Sequence, residues 1–446
     1  MLKTFTLGGI HPKGNKLSAQ VPIEIFPIPE KVYIMVTQHL GAPSTLVVKK
    51  GDIVKVGTLV AKADAFICAN VHSSVSGIVE KIDEINDASG YRKSTIVIKV
   101  EGDEWEENID RSSSLVRECK LDSKEIVQRI KDFGIVGLGG ATFPTHVKYM
   151  VPEGKKAEFL IINAVECEPY LTSDHAIMLE KAEEIMIGIE ILMKALGSKK
   201  AMVGIEKNKP DAIVKMKEIA SKYNKIEIYP LKVKYPQGAE KQLIKALTRR
   251  EVPSGKLPIE VGCVVNNIGT ALAVYEAVQK NKPLIERVVT VSGKSLKKPS
   301  NLLVRIGTPS RLLIEHAGGI PEDTGKIISG GPMMGKALNS TEMPVTKGTS
   351  GLLLMTEKES KREASSMCVR CAKCVNVCPM GLEPYLLQMY VESLRFEDAE
   401  NHRIMDCIEC GSCQYTCPAH RKLLDYIKVG KSKVGAMMRS RASKQN

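Results

Sequence analysis

The sequence predicts a multidomain α/β protein, and three observations lead to that prediction. A length of 446 residues suggests about three domains. Strand-like and helix-like segments alternate between residues 115 and 285, which is typical of a mostly parallel sheet covered by helices. Near the C-terminus, cysteines gather in two closely spaced runs, which indicates a small separate domain that holds metal.

Residues 1–102 have the pattern of a small β-rich module. Segments 31–36 and 95–100 are rich in Val and Ile and bounded by Gly or Pro, as in strands. Together with 71–79 they resemble the barrel-sandwich fold of lipoyl and biotinyl carrier domains. The modified lysine of those carriers would lie near Phe66, and no lysine follows until Lys81. We therefore expect a structural or docking module without a swinging arm.

The middle of the chain, residues 115–285, predicts a Rossmann-like α/β domain. Asp122 and Glu125 form a capping-box pattern before an amphipathic helix. A long helix is predicted over 174–196, ended by Gly197. Ligands of such folds bind beyond the carboxyl ends of the strands. Strands are predicted at 159–162, 200–205, 226–233 and 260–265, and further helices near 210–222, 239–249 and 270–279.

The stretch 134–145 is rich in glycine and lies within this domain. It lacks the glycine spacing of the dinucleotide fingerprint and of the P-loop, and it follows a helix. By pattern alone, its backbone NH groups could cradle a phosphate, or the stretch could be a tight structural loop. Both interpretations stay open on this pattern.

Four segments resemble the NADH-oxidising flavoprotein subunit of respiratory complex I, in that family's order. Residues 137–148 resemble its FMN loop, 163–169 its Asn-Ala-Asp-Glu-Gly-Glu-Pro motif, 235–240 its Tyr-x-x-Gly-Glu-Glu motif and 265–267 its Val-Asn-Asn motif. The resemblance implies an FMN site and NAD(H) as substrate.

The same resemblance assigns roles to individual residues. The FMN phosphate and ribityl chain would be held by Gly137, Gly139, Gly140 and Lys148. The flavin would be lined by Asn163, Glu166, Gly238, Asn266 and Asn267. The catalytic residues that face the nicotinamide would be Phe143, Glu168 and Glu240. The chain departs from the family at Leu138, Val165 and Ala239, where the family has Arg, Asp and Glu.

Residues 286–350 begin a β-rich unit with one helix near 310–317. The unit resembles the ubiquitin-like β-grasp (SLBB) domain that follows the flavin domain in the complex I relatives. Its glycine-rich loop, 328–335, is interpreted as structural packing near the cofactor.

The two cysteine runs, within a domain predicted at 360–430, each read C-x2-C-x2-C-x3-C-P, the spacing of ferredoxins with two [4Fe–4S] clusters. In that arrangement the fourth cysteine of each run binds the other cluster. Zinc sites and disulfides are the alternatives, but neither explains two runs of four. One cluster is therefore assigned to Cys368, Cys371, Cys374 and Cys417, and the other to Cys407, Cys410, Cys413 and Cys378.

The charge and hydropathy of the chain bear on its partners. The net charge is +13, yet there are seven Phe and one Trp, and no nucleic-acid motif appears. No apolar run reaches the ~20 residues of a membrane span. We therefore expect no nucleic acid as partner, and docking on acidic proteins or an anionic membrane face. The basic tail, 431–446, is predicted to be a flexible arm near a charged surface.

The order of the four modules resembles that of the C subunits of Rnf complexes, and residues 8–16 resemble that family's opening. Rnf complexes are membrane-bound, ion-translocating ferredoxin:NAD⁺ oxidoreductases. The resemblance implies a peripheral subunit on the cytoplasmic face of the cell membrane. It would exchange hydride between NAD(H) and FMN and pass electrons through its clusters to other subunits, including a ferredoxin-like iron–sulfur subunit. This electron transfer would be coupled to Na⁺ or H⁺ translocation elsewhere in the complex.

Three other functions remain as alternatives. They are a cobalamin-reducing flavoprotein, whose module order differs, a soluble NADH-dependent flavin reductase or bifurcating enzyme, and a non-enzymatic electron relay. A flavin bound covalently to Thr142 is a further variant of the site.

Overall fold

The computed structural model describes residues 2–445. The first of these residues cross the other domains before the barrel begins. Lys3 bridges to Leu231, and Ile10 exchanges backbone hydrogen bonds of 2.9 Å with Tyr235. Strand β1 (Ile23–Ile25) pairs in parallel with a strand of the β-grasp unit. Within the predicted N-terminal module, 1–102, the barrel is thus preceded by a segment, residues 2–25, which we call the strap. The strap contacts the α/β domain, the β-grasp unit and, through Gly9 and Val377, the C-terminal domain.

The barrel sandwich is built from two small antiparallel sheets. Their order is β2-β8-β7-β4 and β3-β5-β6, and their inner faces meet in a core of Val and Ile that includes Val32, Ile96 and Ile98. The strands are β2 (Lys31–Met35), β3 (Thr45–Leu46), β4 (Ile53–Val54), β5 (Leu59–Lys62), β6 (Val71–His72), β7 (Gly77–Asn86) and β8 (Arg92–Val100).

The α/β domain has a parallel sheet of order β11-β10-β9-β12. The capping box at Asp122 is confirmed, and so is the helix end at Gly197, whose backbone has the left-handed conformation. The predicted single helix 174–196 is wrong, because Lys181 breaks it into α3, which packs on α5, and α4, which packs on α7. The elements are α1 (Ser123–Asp132), α2 (Thr145–Tyr149), β9 (Phe159–Asn163), α3 (Ser173–Glu180), α4 (Ala182–Leu196), β10 (Lys200–Glu206), α5 (Pro210–Ala220), β11 (Ile226–Leu231), α6 (Glu240–Thr248), β12 (Cys263–Asn267) and α7 (Ile268–Gln279).

The β-grasp unit is a mixed sheet of order β1-β14-β13-β17-β15-β16 with one helix packed on it. Strand β17 lies between β13 and β15, so the unit runs beyond the predicted end at residue 350. Its elements are β13 (Glu286–Ser292), β14 (Ser300–Arg305), α8 (Ser310–His316), β15 (Thr324–Ser329), β16 (Lys336–Ala337) and β17 (Gly351–Thr356).

The C-terminal domain is helical. Two short helices, α10 and α13, contain the third cysteines of the two runs, Cys374 and Cys413, and pack against each other. The basic tail, predicted as a flexible arm, instead continues the last helix, and Asn446 lies outside the described residues. The elements are α9 (Glu357–Ser360), α10 (Lys373–Asn376), α11 (Pro384–Glu392), α12 (Phe396–Asn401), α13 (Ser412–Tyr415) and α14 (Leu423–Gln445).

A buried lysine ties three of the domains together. Lys347 of the β-grasp unit donates from Nζ to the carbonyls of Asn70 in the barrel and Gly134 in the α/β domain, both at 2.7 Å. Burial lowers its pKa to about 7. Among residues 2–445, no helix combines the length and apolar character that crossing a membrane requires.

Candidate functional site

The parallel sheet places two asparagines side by side at its carboxyl edge. Strands β9 and β12 are neighbours, and their last residues, Asn163 and Asn267, are in register. The chain adds β10 and β11 on one side of β9 and then returns to the other side with β12. A ligand crevice opens where the strand order reverses in this way. The predicted flavin residues Asn163, Asn266 and Asn267 therefore lie at the expected position for a ligand.

The glycine-rich loop that leads into α2, residues 137–144, borders this crevice. Gly137 N donates to the Phe143 carbonyl at 2.8 Å, which folds the loop into a tight turn. Gly140 has a φ of +110°, and a side chain there would meet no heavy atom within 4 Å. Gly139 faces Asn267, whose Cβ would lie 3.4 Å from an added Cβ. The loop thus borders open space and brings bare backbone to the strand ends.

Lys148 and Glu240 meet beside strand β12. The Lys148 ammonium lies 3.1 Å from Glu240 Oε1 and donates to the Val265 carbonyl at 2.8 Å. Asn163 Nδ2 donates to the Gly238 carbonyl at 2.7 Å, which joins the segment 235–240 to the end of β9. These contacts bring all four predicted motifs together around one crevice.

Glu166 is held by the start of helix α3. Its carboxylate accepts hydrogen bonds from the backbone NH groups of Asp174 at 2.8 Å and His175 at 3.3 Å. Negative charge is favourable at a helix N-terminus. Asp174 accepts from Asn267 Nδ2 at 2.7 Å, and burial followed by the nearby Glu166 raises the pKa of Asp174. The carboxylate of Glu166 is thus fixed by the protein itself.

Glu168 points at the β-grasp unit. Its carboxylate accepts from the backbone NH groups of Met333 at 3.1 Å and Met334 at 2.8 Å, in the glycine-rich loop 328–335. A side chain on Gly331 would collide with Glu168 Oε2 at 2.2 Å. Burial raises the pKa of Glu168 to about 7. The loop that the sequence marked as packing is therefore the hydrogen-bond partner of a predicted catalytic carboxylate.

These features fit an FMN group. The crevice offers free space beside Gly140 and an ammonium at Lys148, and three asparagines lie at the strand ends. The Nδ2 group of each asparagine donates within the protein, that of Asn266 to the buried Tyr149 hydroxyl. Gln237, in the segment 235–240, is fully buried, and its Oε1 accepts from Thr4 Oγ1 near the N-terminus at 2.7 Å. The fit to FMN therefore rests on the open space at Gly140 and on the polar groups at the strand ends.

The cysteines form two groups that differ in burial. Cys378, Cys407, Cys410 and Cys413 line one small pocket whose walls are mostly apolar. Cys374 lies near Cys368 and Cys417, and Cys368 and Cys371 are exposed. The described cysteines are all free, and no three His, Cys, Asp or Glu side chains among residues 2–445 are arranged to hold a single metal ion. Four sulfurs around one cavity fit a cubane cluster, whose ligands surround a larger group.

The buried cysteine group touches the flavin-type crevice. Tyr235 is 2% exposed and donates from its hydroxyl to the Cys410 carbonyl at 2.9 Å. Gln242 at the start of α6 donates to the Pro379 carbonyl at 3.1 Å. The N-terminal strap crosses the same seam, where Gly9 N donates to the Val377 carbonyl at 2.9 Å.

Comparison with known proteins agrees with this architecture. Family models match as follows: an RnfC barrel sandwich hybrid domain at 4–103, a Nuo51 FMN-binding domain at 130–276, an SLBB domain at 288–337 and a 4Fe-4S dicluster domain at 360–423. The chain is 48% identical to the C subunit of the proton-translocating ferredoxin:NAD(+) oxidoreductase complex of Clostridium ljungdahlii, over 97% of this chain and 94% of that protein. The chain belongs to the family of Rnf complex C subunits.

A second relative supports the family, and a solved structure supports the fold. The C subunit of the Na(+)-translocating ferredoxin:NAD(+) oxidoreductase complex of Acetobacterium woodii is 44% identical over 97% of each chain. A solved NAD+-reducing [NiFe]-hydrogenase in the air-oxidized state shares the fold, with a TM-score of 0.50 and 19% identity over 69% of this chain and 63% of that chain. The predicted order of barrel sandwich, FMN domain, SLBB unit and dicluster domain is confirmed.

Sequence reasoning missed three cations that lie under the loops of this Rnf family member. Lys16 donates to the carbonyls of Glu166, Glu168 and Leu171 at 2.6–2.9 Å, and burial lowers its pKa to about 8. Its position in the opening segment 8–16 was a signal, although no role was assigned to it.

The other two cations lie beneath positions where the chain departs from the complex I motifs. Lys209 Nζ donates to the Val165 carbonyl at 2.7 Å, and Arg287 Nη2 donates to the Leu138 carbonyl at 2.8 Å. Neither sits in a recognisable motif. The backbone carbonyls at two of the three departures, Val165 and Leu138, thus accept hydrogen bonds from buried cations of distant elements.

Proposed function

We propose that this chain is the NADH-oxidising or NAD⁺-reducing, FMN-containing iron–sulfur subunit of an ion-translocating ferredoxin:NAD⁺ oxidoreductase complex. One observation carries the proposal. The FMN-type crevice and the cavity lined by four cysteines share a buried seam, which Tyr235 bridges through its hydrogen bond to the Cys410 carbonyl. A site for two-electron chemistry and a site for one-electron chemistry are therefore neighbours in one chain.

The physical requirement behind this pairing is simple. A flavin accepts hydride from a nicotinamide and releases electrons singly, whereas an iron–sulfur cluster takes one electron at a time. The chain's own residues supply binding and orientation. The loop 137–140 presents backbone NH groups and Lys148 an ammonium, both suited to phosphate, and the amides of Asn163, Asn266 and Asn267 suit the polar edge of a flavin.

We assign Phe143, Glu168 and Glu240 to the nicotinamide side of the crevice. Glu240 is held by Lys148 at 3.1 Å, and Glu168 by two backbone NH groups, so both carboxylates are fixed before any substrate binds. Fixed acceptors of this kind reduce the reorganisation that catalysis requires. The pKa of Glu168, near 7, lets this carboxyl hold or release a proton around neutral pH.

We assign the two cysteine groups to different ends of the electron path. The group with Cys378, Cys407, Cys410 and Cys413 faces the crevice through Tyr235, and we place it on the flavin side. The group with Cys368, Cys371, Cys374 and Cys417 reaches the protein surface, and we place it on the side of partner subunits. A ferredoxin-like iron–sulfur subunit is the expected recipient.

The chain would sit as a peripheral subunit on the cytoplasmic face of the cell membrane. The relatives are named as C subunits of ion-translocating complexes, which supports membership of a multi-subunit assembly. The basic helix α14 supplies a charged surface for other subunits or for anionic lipid.

Anaerobic reconstitution followed by cofactor analysis and NADH titration tests the proposal. The expected result is about eight iron atoms per chain, one FMN, and bleaching of the flavin absorbance by NADH. Iron without flavin would contradict the proposal and leave a simple electron relay. Intact mass of the protein distinguishes dissociable FMN from flavin attached to Thr142.

A further inference from the structure

The segment 166–171, which carries two carboxylates at the crevice, has a strained backbone. Glu166 has a φ of +45° and Tyr170 a φ of +70°, in the left-handed region that residues with side chains rarely adopt. Such conformations are unfavourable and persist only where the surrounding structure holds them, and they are common at active sites. The segment therefore depends on contacts from outside itself to keep its shape.

Lys16 of the strap supplies the main contact. Its ammonium donates to the backbone carbonyls of Glu166 at 2.8 Å, Glu168 at 2.9 Å and Leu171 at 2.6 Å. A lysine ammonium has three protons, so all of them are used on this one segment. The pKa of Lys16, which burial lowers to about 8, leaves the ammonium mostly charged at neutral pH. One positive charge thus draws three carbonyls of the strained segment to a single point.

The strap is fixed to the same part of the chain on both sides of Lys16. Before it, the Gly14 carbonyl accepts from Tyr170 N at 2.8 Å. After it, the buried Ser18 hydroxyl lies 2.6 Å from the buried Thr172 hydroxyl. The ammonium therefore reaches the segment from a backbone that is itself held in place, unlike the ammonium of a mobile surface lysine.

The two carboxylates leave the segment 166–171 in different directions. That of Glu166 accepts from backbone NH groups in the first turn of α3, and that of Glu168 accepts from backbone NH groups of the loop 328–335. All three hydrogen bonds of Lys16 end on the segment itself. Any influence of Lys16 on the loop 328–335 must therefore pass through the segment.

We propose that Lys16 is a positioning residue of the hydride-transfer site, which holds the segment 166–171 so that the carboxylates of Glu166 and Glu168 are in place before NAD(H) binds. The inference rests on the proposed function, because that function assigns Glu168 to the nicotinamide side of the crevice. Lys16 acts through backbone carbonyls and takes no part in making or breaking bonds. Misplacement of a positioned group by about 1 Å can slow a reaction on the order of 100-fold.

Amide hydrogen exchange in the full-length, reconstituted protein tests the positioning. The variant Lys16→Met removes the charge and keeps a side chain of similar length, and the matched control Lys13→Met changes an exposed lysine of the same strap. We expect Lys16→Met to raise the exchange rate at least about tenfold in peptides that cover the first turn of α3 and the loop 328–335. The control should match the wild type, and the strands β7 and β8 should exchange alike in all three proteins.

Stopped-flow reduction of the flavin by NADH measures the consequence for the reaction. In FMN-loaded Lys16→Met, the limiting rate constant at saturating NADH should fall at least about tenfold, with cluster EPR signals unchanged. In Lys16→Ala, added ethylammonium supplies the missing ammonium and should restore the rate. Tetramethylammonium has the same charge but no proton to donate, so it should not. A general loss of packing would not distinguish between these two cations.

Wild-type exchange of the loop 328–335 in Lys16→Met would overturn the proposal, and so would a limiting rate constant within about twofold of the wild type. Equal rescue of Lys16→Ala by both cations would also overturn it. If Lys16→Met does not fold, Lys16→Ala purified with ethylammonium takes its place, and exchange is compared before and after the amine is removed by dialysis.

The outcome is separable from the proposed function as a whole. Hydrogen exchange is measured without NAD(H), so it decides the role of Lys16 in holding the segment even in a protein with a defective flavin site. A wild-type flavin that NADH does not bleach would contradict the proposed function and leave the exchange comparison intact.

Discussion

Substitution of Glu168 by Gln should change how the loop 328–335 opens with pH. In the closed loop, burial raises the pKa of Glu168 from 4.5 to about 7, whereas the carboxyl of an open loop would titrate near 4.5. The closed state therefore binds the proton more tightly. The stabilisation of the closed loop by this proton is complete below pH 4.5 and is lost as the pH rises through 7.

The magnitude follows from this difference in pKa. At 1.36 kcal/mol per pKa unit, the difference in pKa destabilises the closed loop relative to the open loop by roughly 3 kcal/mol above pH 7. Solvent screens the Glu168 carboxyl, because this residue is partly exposed, so we expect a change of between about 1 and 3 kcal/mol in the free energy of loop opening. This change corresponds to an opening equilibrium constant that is roughly five- to 150-fold larger above pH 7 than below pH 4.5. A neutral Gln keeps an acceptor for Met333 N and Met334 N and removes the dependence on pH.

Amide hydrogen exchange read by mass spectrometry measures this opening. The protection of the peptide that contains Met333 and Met334, corrected for intrinsic exchange, should fall between pH 5 and pH 8 in the wild type and stay level in Glu168→Gln. At pH 5 the variant should be equally or less protected, because one amide oxygen replaces two carboxyl oxygens. The strands β7 and β8 of the barrel serve as an internal reference. Identical pH dependence in both proteins would refute the reasoning.

Three more predictions concern the cofactor sites. Cys378→Ala should remove the cluster of the second run, with iron falling from about eight to about four atoms per chain; loss of the first-run EPR signal instead would reverse the cysteine assignment. Lys148→Ala should weaken FMN retention and NADH-dependent bleaching while leaving cluster absorbance intact, since its ammonium contacts Glu240 and the Val265 carbonyl, both in the α/β domain; loss of the clusters as well would contradict separate domains. Gly8→Ala would place a Cβ 2.5 Å from the Cys378 backbone at a φ of +65°. We therefore expect the free energy of unfolding to fall by at least about 1 kcal/mol and the strap to be cleaved faster by protease. Gly14→Ala, whose added Cβ would have its nearest neighbour at 3.7 Å, should behave as wild type.

Local patterns in the sequence predicted much of this architecture. The cysteine spacing, the capping box at Asp122 and the helix stop at Gly197 depend only on residues a few positions apart, so they can be recognised without a structure. The same holds for the four flavoprotein-like segments, which the fold gathers around the carboxyl edge of the parallel sheet. The roles assigned to their residues remain predictions.

Other features depend on pairing between distant segments. Strand β1 joins the β-grasp sheet from the far end of the chain, as Ile23 pairs with Asn301. The break at Lys181 separates α3 from α4, both of which contact α5 and α7, and a continuous apolar stripe in the sequence does not reveal it. The basic tail is helical because it continues α14, which packs against α11 and α12.

The sequence by itself determined the four modules, their order and the ligand types, because each is encoded in short-range spacing. The tertiary structure decided how those modules meet. It buried Lys16, Lys209 and Arg287 beneath the loops, directed Glu168 onto Met333 and Met334, and enclosed one cysteine group against Tyr235 while leaving the other exposed. These outcomes depend on burial and on contacts across domain boundaries, which no local pattern records.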